Sequence, residues 1–334
     1  MKYIKFFILF GFLASFSANA LLEVNIIKSK EDSFPIVIAP FEMIGNFKED
    51  SDIAKIIRKN LNMSGQFDAK STNQLTTGPI DFDFYLKHKK DAIVFGKIRQ
   101  ISSNVNHAEI YIYDVLTQKP LYVKKLAFTN GALRRTAHAL SDVIYYALLG
   151  QKGSFNTKLS FVTVNEEKNG KRKYRLVISD WDGKNQQVII GSDDPILSPA
   201  WSADQRKIAY VSFKNNRSDV FVKYVFQNTN PIKLPKFDGI ASSPTWHPDG
   251  KSLALTLSKD GNKDIYLYNF DSKKLKRLTT NIAIDTEANF SPDGKSIAFT
   301  SNRTGQVQIY IKNLKSGKIS RATFEGRYNA KPVF

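Results

Sequence analysis

Two hydrophobic periods divide the chain. Near the amino terminus, Pro35-Ile36-Val37-Ile38-Ala39-Pro40-Phe41 is an unbroken apolar run that predicts a buried strand. Ile53, Ile56, Ile57 and Leu61 then recur at spacings of three and four, predicting a helix capped by Ser51 or Asp52 and stopped by Gly65. Strands are predicted over Asp91–Ile98, His107–Val115 and Leu121–Phe128. A last helix, from about Ala132 to Leu149, carries Leu133, Ala137, Leu140, Ile144 and Leu148 on one face and ends at Gly150. Helices set between strands predict a compact α/β domain over residues 21–150, with Gln151-Lys152-Gly153-Ser154 as the hinge to the carboxy-terminal half.

Beyond residue 155 the period changes to two, and the chain repeats itself. Trp201-Ser202-Ala203-Asp204, Trp246-His247-Pro248-Asp249-Gly250-Lys251 and Phe290-Ser291-Pro292-Asp293-Gly294-Lys295 align without gaps, their aromatic leaders 45 and 44 residues apart. Units of 40–45 residues, each holding several short strands, are the mark of a β-propeller. Within a unit the aromatic fills the space between neighbouring sheets, Asp-Gly closes a tight turn, and Ile-Ala-Phe alternation makes a buried strand. A second strand comes next at Asp219–Val225, Asp264–Asn269 and Gln308–Asn313, and a third at Lys276–Thr279 and Ser320–Thr323.

One period before Trp201 lies a degenerate first unit, with strands at Lys158–Val164, Tyr174–Ser179 and Gln187–Ile190. The predicted propeller therefore covers 155–334, with blades near 155–200, 201–245, 246–289 and 290–333. Four units could close as a ring of their own. Phe334 falls one period after Phe290, however, so the chain reads as stopping at the start of a fifth unit. An incomplete ring would bare the apolar flanks of its end blades, which predicts poor solubility or self-association.

The first twenty residues set the compartment. Lys2 and Lys5 precede an apolar run from Phe6 to Phe16 that closes on Ala18-Asn19-Ala20, the pattern of a cleavable secretory signal. The mature chain is thus expected to start at Leu21 in the periplasm, with no transmembrane segment, since a spanning helix needs about 20 apolar residues. Zero cysteines exclude disulfides, thiol nucleophiles and cysteine-held zinc; 42% hydrophobic residues suffice for packed cores. The charge of +18 would suggest nucleic acid, but export removes that partner and the cations are spread along the whole chain. A solvated lysine-rich surface, or attraction to anionic envelope surfaces, remains.

Catalytic signatures are lacking. There is no Gly-x-Ser-x-Gly elbow, and His88, His107, His138 and His247 show neither ligand nor triad spacing, each reading as an exposed or capping residue. Glu166-Glu167 and Asp193-Asp194 are adjacent rather than opposed acids. No enzyme, metal site or cofactor is expected. The competing reading is the propeller of a prolyl-oligopeptidase-like or glycan-binding protein.

Ile38-Ala39-Pro40-Phe41, Asp52-Ile53, Ser64-Gly65-Gln66-Phe67, Asp91-Ala92-Ile93-Val94-Phe95-Gly96 and Gly150-Gln151-Lys152-Gly153-Ser154-Phe155-Asn156-Thr157 together resemble, in order, the landmarks of the TolB family of Tol-Pal system proteins. The resemblance implies an amino-terminal α/β domain and a propeller of six blades, about four of them present here. It also implies a scaffold linking the inner-membrane protein TolA to the outer-membrane lipoprotein Pal, needed for outer-membrane integrity and constriction during cell division. Glu23, Val24, Asn25, Ile26 and Ile27 match the family's TolA-binding segment, an alternating strand suited to adding itself to another sheet. Loops matching the family's Pal-binding face supply Ser198, Ile240, Ser242, Ser243, Asp285, Thr286 and Glu287.

Overall fold

The computed structural model describes residues 33–45, 52–72, 79–214 and 217–334, so the signal-like stretch and Glu23–Ile27 lie outside the described residues. The chain divides into two compact units, residues 1–151 and 152–334.

In the first unit the elements run β1 (Phe34–Ile38), β2 (Glu42–Ile44), α1 (Ile53–Met63), β3 (Phe67–Ser71), α2 (Phe82–Lys87), β4 (Ala92–Gln100), β5 (Val105–Asp114), β6 (Pro120–Thr129) and α3 (Leu133–Leu149). One sheet, ordered β3-β1-β4-β5-β6 with β2 alongside β4, is parallel around β1 and antiparallel from β4 to β6. The apolar run of β1 is explained by its central place, buried on both faces. Helix α1 is capped by Asp52, whose carboxylate accepts from the Lys55 amide at 2.9 Å, and it buries Ile53, Ile57 and Leu61. It packs on α3, which Gly150 ends in the left-handed region at φ 68°. His138 corrects the reading of the histidines as exposed or capping: it is buried on the inner face of α3, its Nδ1 2.9 Å from the Asn60 amide of α1. On the open side of the sheet, Lys97 pairs with Glu42 and Lys125 with Glu109, each at 3.0 Å. Gly96 leaves room for the Phe41 ring, which a Cβ there would meet at 2.0 Å.

The second unit is four sheets in sequence. The first is three-stranded, β7 (Lys158–Glu166), β8 (Arg172–Asp180) and β9 (Gln187–Ser192). Then come β10 (Ile196–Trp201), β11 (Lys207–Lys214), β12 (Arg217–Tyr224), β13 (Ile232–Lys233); β14 (Ala241–Trp246), β15 (Ser252–Leu257), β16 (Asp264–Asn269), β17 (Leu275–Arg277); and β18 (Asp285–Phe290), β19 (Ser296–Ser301), β20 (Gln308–Asn313), β21 (Ile319–Arg321). All three are antiparallel four-stranded meanders. Each opens on a strand that leads into the aromatic, so the sheets span 196–233, 241–277 and 285–321 and the aromatic ends the first strand. Pro199 and Pro244 disguise these first strands, because proline in a sheet needs an edge or a bulge. β8 and β9 lie one period before β12 and β13, so the strand that the described residues do not supply to the first sheet is the counterpart of β10.

The first strands β10, β14 and β18 touch in order, and β7, the counterpart of β11, touches β10. The cores lie between sheets: Val211, Val220 and Val222 pack with Trp246, Leu255 and Tyr266, and Ala254 and Ile265 pack with Phe290, Ile297 and Phe299. Burial pushes the Tyr210 hydroxyl pKa up to about 12.

The turn after each aromatic is a small hydrogen-bonded unit. Ser202 Oγ and Ser291 Oγ donate to Asp204 and Asp293 at 2.6 Å, and those carboxylates accept from the amides of Arg206 and Lys295. The serine hydroxyl bond, first, holds both aspartates below their ordinary value of 3.8. A depressed folded-state pKa contributes stability that is present above the unfolded value and lost as pH falls through the folded one. Thermal midpoints of a Ser202→Ala/Ser291→Ala variant should therefore lie below the parent's at pH 6, with the gap closing as pH falls below 3.8. A gap independent of pH would mean that the hydroxyls act only through the Lys207 and Ser296 amides, which they also accept.

Candidate functional site

In a meander of four strands, the second-to-third hairpin and the loop leading to the next sheet emerge at the same end. Backbone bonds confirm the grouping, Ser258 N donating to Ile240 O at 3.2 Å and Asp285 N to Lys263 O at 2.8 Å. At this end each first strand is broken by a bulge, with register shifts between Leu197 and Ala200, Ser242 and Thr245, and Thr286 and Asn289. The bulge residue takes a left-handed conformation each time: Ser198 (φ 52°), Ser243 (φ 48°), Glu287 (φ 56°) and, one period on, Lys331 (φ 55°). Such a conformation costs a non-glycine residue about 1–2 kcal/mol, so the surroundings must hold it there.

They are held across sheets. The Glu287 amide donates to Thr256 Oγ1 at 3.4 Å, and the Lys331 amide donates to Glu287 Oε2 at 3.0 Å and Thr300 Oγ1 at 2.9 Å. Thr300 Oγ1 in turn donates to Glu287 Oε2 at 3.0 Å. All four left-handed residues line one open cavity of about 560 Å³, walled on the far side by Ser160–Val162 of β7.

The site residues read from the sequence fall into three groups. Ser198, Ser243 and Glu287 come together as bulge residues on that cavity. Ser242 and Thr286 are half-buried, paired in register with Thr256 and Thr300, and Ile240 stands on the rim. Asp285 is fully buried, and both its oxygens accept from Arg303 Nη2, at 2.9 and 2.8 Å. Its carboxylate is committed to holding the loop end. Arg303 also donates through Nε to Ser301 Oγ and lies 5.0 and 4.8 Å over the Phe299 and Tyr310 rings.

Sequence reasoning named Ile240 but missed Arg303 and the rest of the apolar rim. Ile240, Ile284 and Tyr328 are 52%, 45% and 73% exposed and lie 44 residues apart, at the same place in successive units. The Ile240 and Ile284 amides donate to Ser258 Oγ and Asn302 Oδ1, both at 2.8 Å. The signal was the same 44-residue period, applied to apolar residues in loops rather than to the turn motif.

Residues 22–121 match the model of the TolB amino-terminal domain, and residues 145–334 that of the TolB beta propeller domain. The Tol-Pal system protein TolB of Ruthia magnifica subsp. Calyptogena magnifica is 54% identical over 79% of this chain and 62% of its own length. That of Vesicomyosocius okutanii subsp. Calyptogena okutanii is 54% identical over 76% of this chain and 60% of its own. The chain thus spans about three-fifths of the length of these relatives. Among solved structures, TolB from Acinetobacter baumannii superposes with a TM-score of 0.80 at 34% identity, covering 90% of this chain and 74% of that one. With both domain models matched in order and the α/β unit followed by bulged propeller sheets, the chain belongs to the TolB family.

Proposed function

We propose that the chain is a periplasmic scaffold of the Tol-Pal system, joining TolA at the inner membrane to the lipoprotein Pal at the outer membrane and so supporting envelope constriction during division. It is a binding protein, not an enzyme. Pal docks at the rim around the bulge cavity, and Glu23–Ile27 engages TolA by strand addition.

One observation carries the Pal reading: Ile240, Ile284 and Tyr328 repeat as exposed apolar side chains around four strained, polar backbone positions. Isolated exposed hydrophobics are ordinary, but a periodic set on one rim is a surface that water solvates poorly. Apolar anchors ringed by polar groups are the usual anatomy of an energetic hot spot.

Calorimetric titration of the mature chain with the soluble domain of Pal tests this. Ile240→Asp/Ile284→Asp should weaken binding by about 30-fold, as loss of a hot spot of about 2 kcal/mol requires, while leaving the thermal midpoint within a degree or two. Unchanged affinity in that variant, or glycan binding with no protein partner, would overturn the assignment.

A further inference from the structure

The opposite end of the propeller unit carries a cluster of cations that the docking rim does not explain. The turn after each aromatic and the hairpin between third and fourth strands both emerge there. Val225 N donates to Arg206 O, Phe270 N to Lys251 O and Leu314 N to Lys295 O, each at 2.9 Å, tying the two turns of each sheet together. Neighbouring sheets are tied at this same end, where Lys207 Nζ donates to Gly250 O and His247 Nε2 lies 3.2 Å from Gly294 O. The three turn pairs thus form one continuous surface.

Arg206, Lys251, Lys273, Lys274, Lys315 and Lys318 are exposed on it, and among the described residues none of their side chains has an ion-pair or hydrogen-bond partner. Two of the four aspartates here, Asp204 and Asp293, are turned into their own loops by serine hydroxyls and backbone amides; Asp249 accepts from the Lys251 amide, and Asp271 is exposed. Toward the rim end several cations are paired with aspartates, while Lys236, Lys263 and Arg327 are exposed and stand apart from one another in sequence. Arg217 and Lys233 pair with Asp219, Lys259 with Asp260, Arg277 with Asp264 and Arg303 with Asp285. The turn end therefore gathers six exposed cations, without a partner among the described residues, on one continuous surface.

We propose that this turn end is a docking surface for anionic lipid bilayers. Six unpaired cations on one surface fall within the range of four to eight that holds a protein at an acidic leaflet. Phe226, 66% exposed in the turn between β12 and β13, projects from the same end, where an aromatic ring can enter the headgroup layer. The cations are spread over three turn pairs rather than lining a groove, and no row of aromatic side chains accompanies them, which favours a lipid surface over a nucleic-acid strand. With the rim free at the other end, the unit could sit on a membrane and hold a protein partner together.

Co-flotation of the mature chain with phosphatidylcholine vesicles, with and without phosphatidylglycerol, tests the proposal. Binding should require phosphatidylglycerol and disappear in high salt. Lys273→Glu/Lys274→Glu/Lys315→Glu should lower partitioning at least tenfold, and Phe226→Ala about threefold. Lys236→Glu/Lys263→Glu/Arg327→Glu, which changes net charge equally from exposed positions toward the rim end, should lower it less than threefold. Equal losses in the two triple variants, absence of binding to the anionic vesicles, or tighter binding to soluble inorganic polyphosphate than to vesicles of equal phosphate content would overturn it. Circular dichroism of each variant separates these results from misfolding.

Discussion

Replacing Arg303 by leucine should lower the stability of the propeller unit by about 3–5 kcal/mol, the usual cost of stranding a buried charge. Asp285 is fully buried, and Arg303 Nη2 donates to both its oxygens at 2.8–2.9 Å, the guanidinium itself mostly covered by Phe299 and Tyr310. Lys312 is near enough to feel the same carboxylate, but its ammonium is given to Leu278 O. For a unit of this size the loss corresponds to a fall of roughly 6–20 °C in thermal midpoint. Adding Asp285→Val should restore most of it, because removing both charges also removes the desolvation cost. A single variant that melts within 2 °C of the parent would mean that Asp285 finds other partners. Since Asp285 opens β18 two residues before the strained Glu287, the single variant should also displace the bulge and weaken the proposed Pal docking, a loss the double variant need not recover.

This clamp marks where sequence reading stopped. The 44-residue period was legible because Asp-Gly turns and Ile-Ala-Phe strands obey local rules: a left-handed turn position favours glycine, and a strand between two sheets is rich in apolar residues. Helix α3 was legible for the same reason, its apolar face recurring at three and four until Gly150. The first strands β10 and β14 were not, because Pro199 and Pro244 read as turn residues until the bulge that accommodates them is seen. Asp285 reads as a polar loop residue in the sequence; only its pairing across the hairpin to Arg303 makes it a core residue. Long-range charge pairs leave no periodic trace. His138 was misread similarly, since its burial depends on α1 arriving with Asn60, 78 residues earlier.

The two ends of the propeller unit also differ in how their chemistry could be read. The turn end repeats lysines close to the motif itself, at Lys251 and Lys295, so its charge was visible as composition but not as a surface. Only the sheet topology gathers Lys273, Lys274, Lys315 and Lys318 beside them. At the rim, Ser198, Ser243 and Glu287 share a backbone conformation and not a residue type, and conformation is what the sequence alone conceals.

Trp246 and Trp201 hold equivalent places and should respond differently to the same substitution. The Trp246 ring stacks on Phe270 at 5.2 Å, lies under Lys207 Nζ at 4.7 Å, and donates from Nε1 to Ala200 O at 3.1 Å. That acceptor sits on β10, the first strand of the preceding sheet. Trp201 Nε1 is buried with no partner among the described residues, which supply no strand in the place of β10 to the sheet before it, β7-β8-β9. Trp246→Ala should cost about 3–5 kcal/mol as a large side chain leaves the space between two sheets. Trp246→Phe should cost about 1–2 kcal/mol, keeping most of the packing but losing the donor to a buried carbonyl. Trp201→Phe should be neutral or stabilising, since it removes a buried donor that makes no bond. Denaturant melts of the three variants measure these differences. Equal costs for the two Trp→Phe changes would show that Trp201 has an acceptor in solution, and a strand supplied to the edge of β7 would be the physical source of it.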